Sequence, residues 1–205
     1  MKVEMVQVIL GLVSIPIMLL NFGGGIVGGI WLAFLGKWGL LGLGIVSMFI
    51  SSFGISLALA PGLLFVAPAG VALDRGRYII GGLCLTLANV WTDVVMTAWS
   101  VGCFYVVLGY YDRGSIWPYL LWAYGMATGP WTYMAARGGP EEVGSHLSAF
   151  GACVGAIVVM GVLLFKDQVT VIDTAIAFGI PMLIVSLFQT VIGFLVMREQ
   201  RLRTL

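Results

Sequence analysis

Charge is what this sequence has least of. Only 9% of its 205 residues are Asp, Glu, Lys or Arg, against about a quarter in an ordinary soluble domain. With a net charge of +1 and no run of like charges, the chain has no basic face for nucleic acid. One histidine, His146, cannot supply the paired axial ligands of a membrane b-type haem. No lysine lies inside an apolar stretch, which excludes a retinal-type Schiff base. Cys84, Cys103 and Cys153 are odd in number and lack a metal-type spacing, so they read as small core hydrophobes. Neither an Asn-x-Ser/Thr sequon nor a loop long enough to fold separately occurs. No cofactor is expected, and enzymatic chemistry is not the leading reading.

What is abundant is apolar surface. Hydrophobic residues make up 60% of the chain and the mean hydropathy is +1.07, the composition of an integral membrane protein. The expected fold is all-α, a polytopic transmembrane helical bundle in one domain, 1–205. Charges and Gly/Pro breaks divide it into six apolar blocks, about 5–35, 39–60 with a Pro-bearing extension to 73, 78–109, 116–136, 146–165 and 171–197. Seven spans result if 61–73 re-enter the bilayer or the first block splits. The first block is too long for a secretory h-region and is expected to remain as a span. Six spans place Lys2, Arg75, Arg77, Arg137, Arg198, Arg201 and Arg203 on one side, and Lys37, Arg113 and Lys166 on the other. The positive-inside rule then makes both termini cytoplasmic. Short loops suit a bacterial inner membrane.

The third block carries the one acid that cannot reach a membrane edge, Asp93. Thr86, Asn89, Asp93, Thr97 and Ser100 recur at spacings of three and four, sharing an arc of about 80° on a helix. A carboxyl near the bilayer centre costs on the order of 3 kcal/mol, so Asp93 is expected to face protein or a water-filled cavity. With no cation in any other apolar block, it is expected to be protonated at rest or to hold a transient cation. The blander reading is a neutral acid hydrogen-bonded to Asn89, Gln189 or a carbonyl as interhelical glue.

Small residues mark the packing. Gly24 with Gly28 and Gly25 with Gly29 form overlapping Gly-x-x-x-Gly pairs, the spacing that lets a second helix approach closely. The same run, with Asn21 and Pro16, is also expected to kink the first helix; it lacks the lysine and flanking strand of a phosphate loop. Ser148, Gly151 and Gly155 share a face of the fifth block. Gly179, Ser186, Gln189, Thr190 and Gly193 share one of the sixth, which makes Gln189 the expected partner for the Asp93 stripe. The fourth block is rich in aromatics, Trp117, Tyr119, Trp122, Tyr124, Trp131 and Tyr133, of which the outer pair and the Trp131/Tyr133 pair read as interfacial girdle rather than cofactor box. The polar loop 137–146, with Glu141, Glu142 and His146, reads as a helix start with acids complementing its dipole. Residues 16–23 and 118–125 align without gaps, an echo of the paired spans of inverted-repeat transporters.

Two functional readings follow. The first is a non-enzymatic scaffold or accessory subunit whose Gly/Ser seams pack its own helices or dock a second copy or another membrane protein. The alternative is a small transporter or channel-like protein in which Asp93, Asn89, Thr97, Thr86, Ser100, Gln189 and Asn21 line a cavity for a proton or small cation. An enzyme using Glu141, Glu142 and His146 is a distant third. Beyond these, the lipid bilayer is the expected partner.

Overall fold

A backbone in hydrocarbon must satisfy its own N–H and C=O groups, so long apolar runs fold as helices. A computed structural model describes residues 3–138, 143–166 and 168–204, and its regular structure is all helical. The elements are α1 (Val3–Phe34), α2 (Trp38–Leu59), α3 (Leu63–Asp74), α4 (Tyr78–Leu108), α5 (Trp117–Gly138), α6 (Val143–Phe165) and α7 (Val171–Thr204). Among the described residues five stretches are long and apolar enough to cross a membrane: Ile15–Phe34, Gly54–Asp74, Tyr78–Leu108, His146–Phe165 and Val171–Ile192. Such a set of helices fits an integral membrane protein.

Two turns share one chemistry. Gly36 ends α1 at φ 72° and Gly76 ends α3 at φ 73°, where a Cβ would be strained. The N–H groups of Gly36 and Lys37 bond back to Ala33 and Leu32, and those of Gly76 and Arg77 to Leu73 and Ala72. Each is a Schellman closure that satisfies the last carbonyls of its helix. Between α2 and α3 the chain passes through a 3-10 turn, Ala60–Gly62, with Ala60, Gly62 and Leu63 all right-handed helical. Residues 61–73 therefore carry the path of α2 onward. Pro61 has no N–H to give the ladder, and the Trp91 indole of α4 donates to the Ala58 carbonyl at this bend, at 2.8 Å.

The organising element is α5, not α4. It packs against α1, α4 and α6 and buries Tyr119, Leu120, Trp122, Tyr124 and Trp131. Its Gly, Thr, Pro and aromatic content keeps it off the set of strongly apolar spans, yet it is the helix most enclosed by others. The girdle reading therefore fits only Trp117 and Tyr133, which are exposed. The other rings of α5 fill the core, with Trp122 donating its indole N–H to the Leu40 carbonyl at 3.3 Å.

Close approach makes this possible. A Cβ on Gly25 would stand 2.9 Å from Gly125 Cα, and one on Gly28 would stand 2.6 Å from the Trp122 nitrogen. Gly24 faces the Tyr124 ring and Gly29 the Trp122 ring. The glycine run does not break α1, which stays helical through Asn21 and Gly25, its glycine face set against α5. On α6, Gly151 meets Met182 and Val185 of α7, and Gly155 meets Phe178. The loops at one end are tied by ion pairs, Lys37 to Asp112 at 2.7 Å and Lys166 to Asp173 at 2.8 Å.

Candidate functional site

The polar stripe of α4 meets that of α7. Ser186 donates its hydroxyl to Oδ2 of Asp93, and Asn89 Nδ2 donates to Thr190 Oγ1 at 3.0 Å. These two bonds set the antiparallel register of the pair. Thr190 donates its own hydroxyl to the Ser186 carbonyl at 2.9 Å, so its oxygen is left as the acceptor that the Asn89 amide needs. The bond to Asp93 expected from Gln189 thus comes from Ser186, one turn earlier. Gln189 reaches the other way, Nε2 to Ser148 Oγ of α6 at 2.7 Å.

Other members of the stripe differ in role. Thr86 donates to the Gly82 carbonyl of its own helix at 2.9 Å. Thr97 lies beside Gly179 across the helix pair. Ser100 is fully buried, and its hydroxyl has no hydrogen-bond partner among the described residues.

Asp93 stands on the floor of an open-sided groove of about 840 Å³ between α4 and α7. Carboxyl and groove together are the site. Its rim is apolar and exposed, with Val94 at 53% and Leu183 at 48% of full accessibility, whereas Asp93 retains 7%. Small residues, Ala98 and Gly102 from α4 and Ala175 and Gly179 from α7, keep the groove open. It runs along α4 from Val90 to Tyr105, about 22 Å at the helical rise. No Lys, Arg, His or second acid among the described residues lines it. Among the described residues no cluster of three His, Cys, Asp or Glu is placed to hold a metal.

Asn21 belongs to a different centre. Its Nδ2 donates to Thr132 Oγ1 at 2.8 Å, and its Oδ1 accepts from the Tyr124 hydroxyl. Tyr124 also lies 3.0 Å from Cys153 Sγ, so α1, α5 and α6 converge on one buried network. Sequence reasoning missed Tyr124, Thr128 and Thr132 as polar members of it. Their spacing of four was the available signal. Each threonine donates to the carbonyl four residues back, Thr128 to Tyr124 at 2.8 Å and Thr132 to Thr128 at 2.9 Å. His146 is buried near the start of α6, while Glu141 and Glu142 lie outside the described residues. The exposed Lys37–Asp112 pair holds the Asp112 carboxyl below its usual range through the Lys37 ammonium, and raises Lys37 in return. No family model, curated protein or solved structure matches this chain.

Proposed function

We propose that the protein is a small integral membrane carrier or binding protein in which Asp93 takes up and releases a proton or a cation. The observation that carries this reading is a lone carboxyl on the floor of the α4–α7 groove, with one hydroxyl donor and no counter-cation on the groove wall. An acid used only to hold helices together needs no such opening. Asn89, Thr190 and Ser186 serve as the polar frame that keeps the two helices in register. Six crossings with α2 and α3 as one bent path, and both termini on the cytoplasmic side, agree with the seven-to-three bias of Lys and Arg. A bacterial inner membrane suits that arrangement.

The scaffold reading ranks second. Its seams, Gly24, Gly25, Gly28, Gly29, Gly151 and Gly155, all face helices of the same chain, so none of these six is left over for a partner. What favours it is the pair of small-residue spacings Ala98/Gly102 and Ala175/Gly179 on the groove walls. Thermal unfolding of detergent-purified wild type and Asp93→Asn across pH and a panel of cations separates the two. A ligand of the folded state raises stability by mass action. A pH- or cation-dependent shift that the variant loses supports the carrier; identical responses remove it and direct the search to co-purifying membrane proteins.

A further inference from the structure

The groove also constrains what its ligand is. A hard metal cation takes about six to eight oxygen ligands, and beside Asp93 the lining offers only hydroxyls such as that of Thr97. A transmembrane helix needs about 30 Å to cross the hydrocarbon, whereas the groove follows α4 for about 22 Å. A compact ligand fits better, and 840 Å³ lies within the usual range of about 300–1,000 Å³ for small-molecule pockets. The walls are aliphatic, the rim residues Val90, Val94 and Leu183 are exposed where a bilayer would lie, and the single charged group is an acid.

Resting on the carrier reading, we propose that this groove takes a lipophilic organic cation from within the bilayer, in exchange for the proton of Asp93. In the empty site the neutral carboxyl accepts from Ser186. When the cation enters, the O–H bond of the carboxyl breaks, its proton passes to water, and the carboxylate left behind pairs with the ligand's positive charge. One cation enters for each proton released, so charge in the groove is conserved. Apolar contact with Val94, Ala98 and Leu183 supplies affinity, and the carboxylate supplies selection for charge. On the helices packed against α4, the described ionisable side chains are Asp74 of α3, Tyr119, Tyr124, Tyr133 and Arg137 of α5 and Asp173 of α7. None lines the groove, where Tyr105 is the one titratable neighbour. A single carboxyl therefore governs the pH dependence.

The experiment uses two probes of one shape and opposite charge, tetraphenylphosphonium and tetraphenylborate, titrated into the full-length protein in detergent. Thermal shift reads binding, and an indicator in weak buffer reads proton release. The expected result is stabilisation by the phosphonium alone, with up to one proton released per cation. On the acid side of the Asp93 titration, affinity should fall about tenfold per pH unit. Asp93→Asn should weaken the phosphonium at least about 30-fold. Ala98→Leu, at an exposed position of the groove wall, should block the same probe while Asp93 and the ligand-free pH response stay intact. Equal binding of the two probes, or phosphonium binding that survives both substitutions, overturns the proposal. A phosphonium that fails to bind while wild type keeps a pH response lost in Asp93→Asn overturns this inference and leaves the carrier reading standing. A wild type that shows no such pH response and binds neither probe overturns both.

Discussion

Two glycines of α1, one turn-fraction apart, are expected to respond to the same substitution with opposite sign. A Cβ at Gly25 would stand 2.9 Å from Gly125 Cα, and the obstacle is backbone, which has no rotamer with which to yield. Ordinary carbon contact is about 3.5–4.0 Å, so α1 and α5 must part by roughly 0.5–1 Å, and a gap of that size forfeits a quarter to a half of each dispersion contact it opens. Overpacking of this kind costs about 1–3 kcal/mol. The Asn21 bonds to Thr132 and Tyr124 lie one turn away on the same seam, and loosening them adds about 0.6 kcal/mol for each interhelical bond. Less the gain in helix propensity of about 0.5–1 kcal/mol, Gly25→Ala should therefore destabilise the fold by about 1–4 kcal/mol. A Cβ at Gly23 meets nothing within 4 Å, so Gly23→Ala gains only helix propensity, about 0.5–1 kcal/mol in the stabilising direction. Reversible unfolding in mixed micelles, followed by circular dichroism, reads both. Variants that differ by less than about 0.5 kcal/mol, the usual scatter of surface substitutions, or a stabilised Gly25→Ala, would refute the close approach of α1 to α5.

Other outcomes follow from the same geometry. Trp91→Phe removes the indole donor to the Ala58 carbonyl and should cost about 0.5–1.5 kcal/mol, seen as a lower melting temperature; no change would mean the bend at Pro61 does not need its tie to α4. Asn21→Ala breaks a buried node with two partners, whereas Asn89→Ala breaks one part-buried bond. The first should lower stability by about 1–2 kcal/mol and the second by about half that in the same unfolding assay. For the Lys37–Asp112 pair, Asp112 is depressed in the folded protein, so its contribution is present above the unfolded value of about 3.9 and is lost as pH falls through the lower folded value. Lys37 is raised, so its share is present below about 10.4 and is lost as pH rises through the higher folded value. Both groups are solvent-facing, so hydrogen exchange in the 109–116 loop should quicken at both extremes, and added salt should mute the difference. Asp112→Asn should abolish the acid limb.

How much of this was legible in the chain differs from helix to helix. Asp93 and its stripe could be read off α4 because spacing along one helix follows from a fixed rotation per residue. Its partner could not: Ser186 and Gln189 share a face of α7, and only the axial slide of α7 against α4 decides which meets the acid. Asn21 looked like a second wall of the Asp93 cavity, since a buried amide pattern carries no address. It is bonded within α1, α5 and α6 instead. The aromatics of α5 were misplaced for a related reason. Trp and Tyr favour interfaces on average, and nothing local to 117–133 records that the glycines of α1 open room for those rings inside.

By itself the sequence determined the class, all-helical with helices long and apolar enough to cross a membrane, because in hydrocarbon a long apolar run satisfies its own polar groups as a helix. Its block boundaries at 35–39 and 73–78 also fell at the reversals where Gly36 and Gly76 adopt a left-handed φ. Only the tertiary structure decided that α5 is the hub, that the α1 glycines press on Gly125 and Trp122, and that Asp93 opens onto a groove. Those are properties of how helices lie against one another, set by the summed fit of many weak contacts far apart in the chain. No single stretch of residues contains that sum.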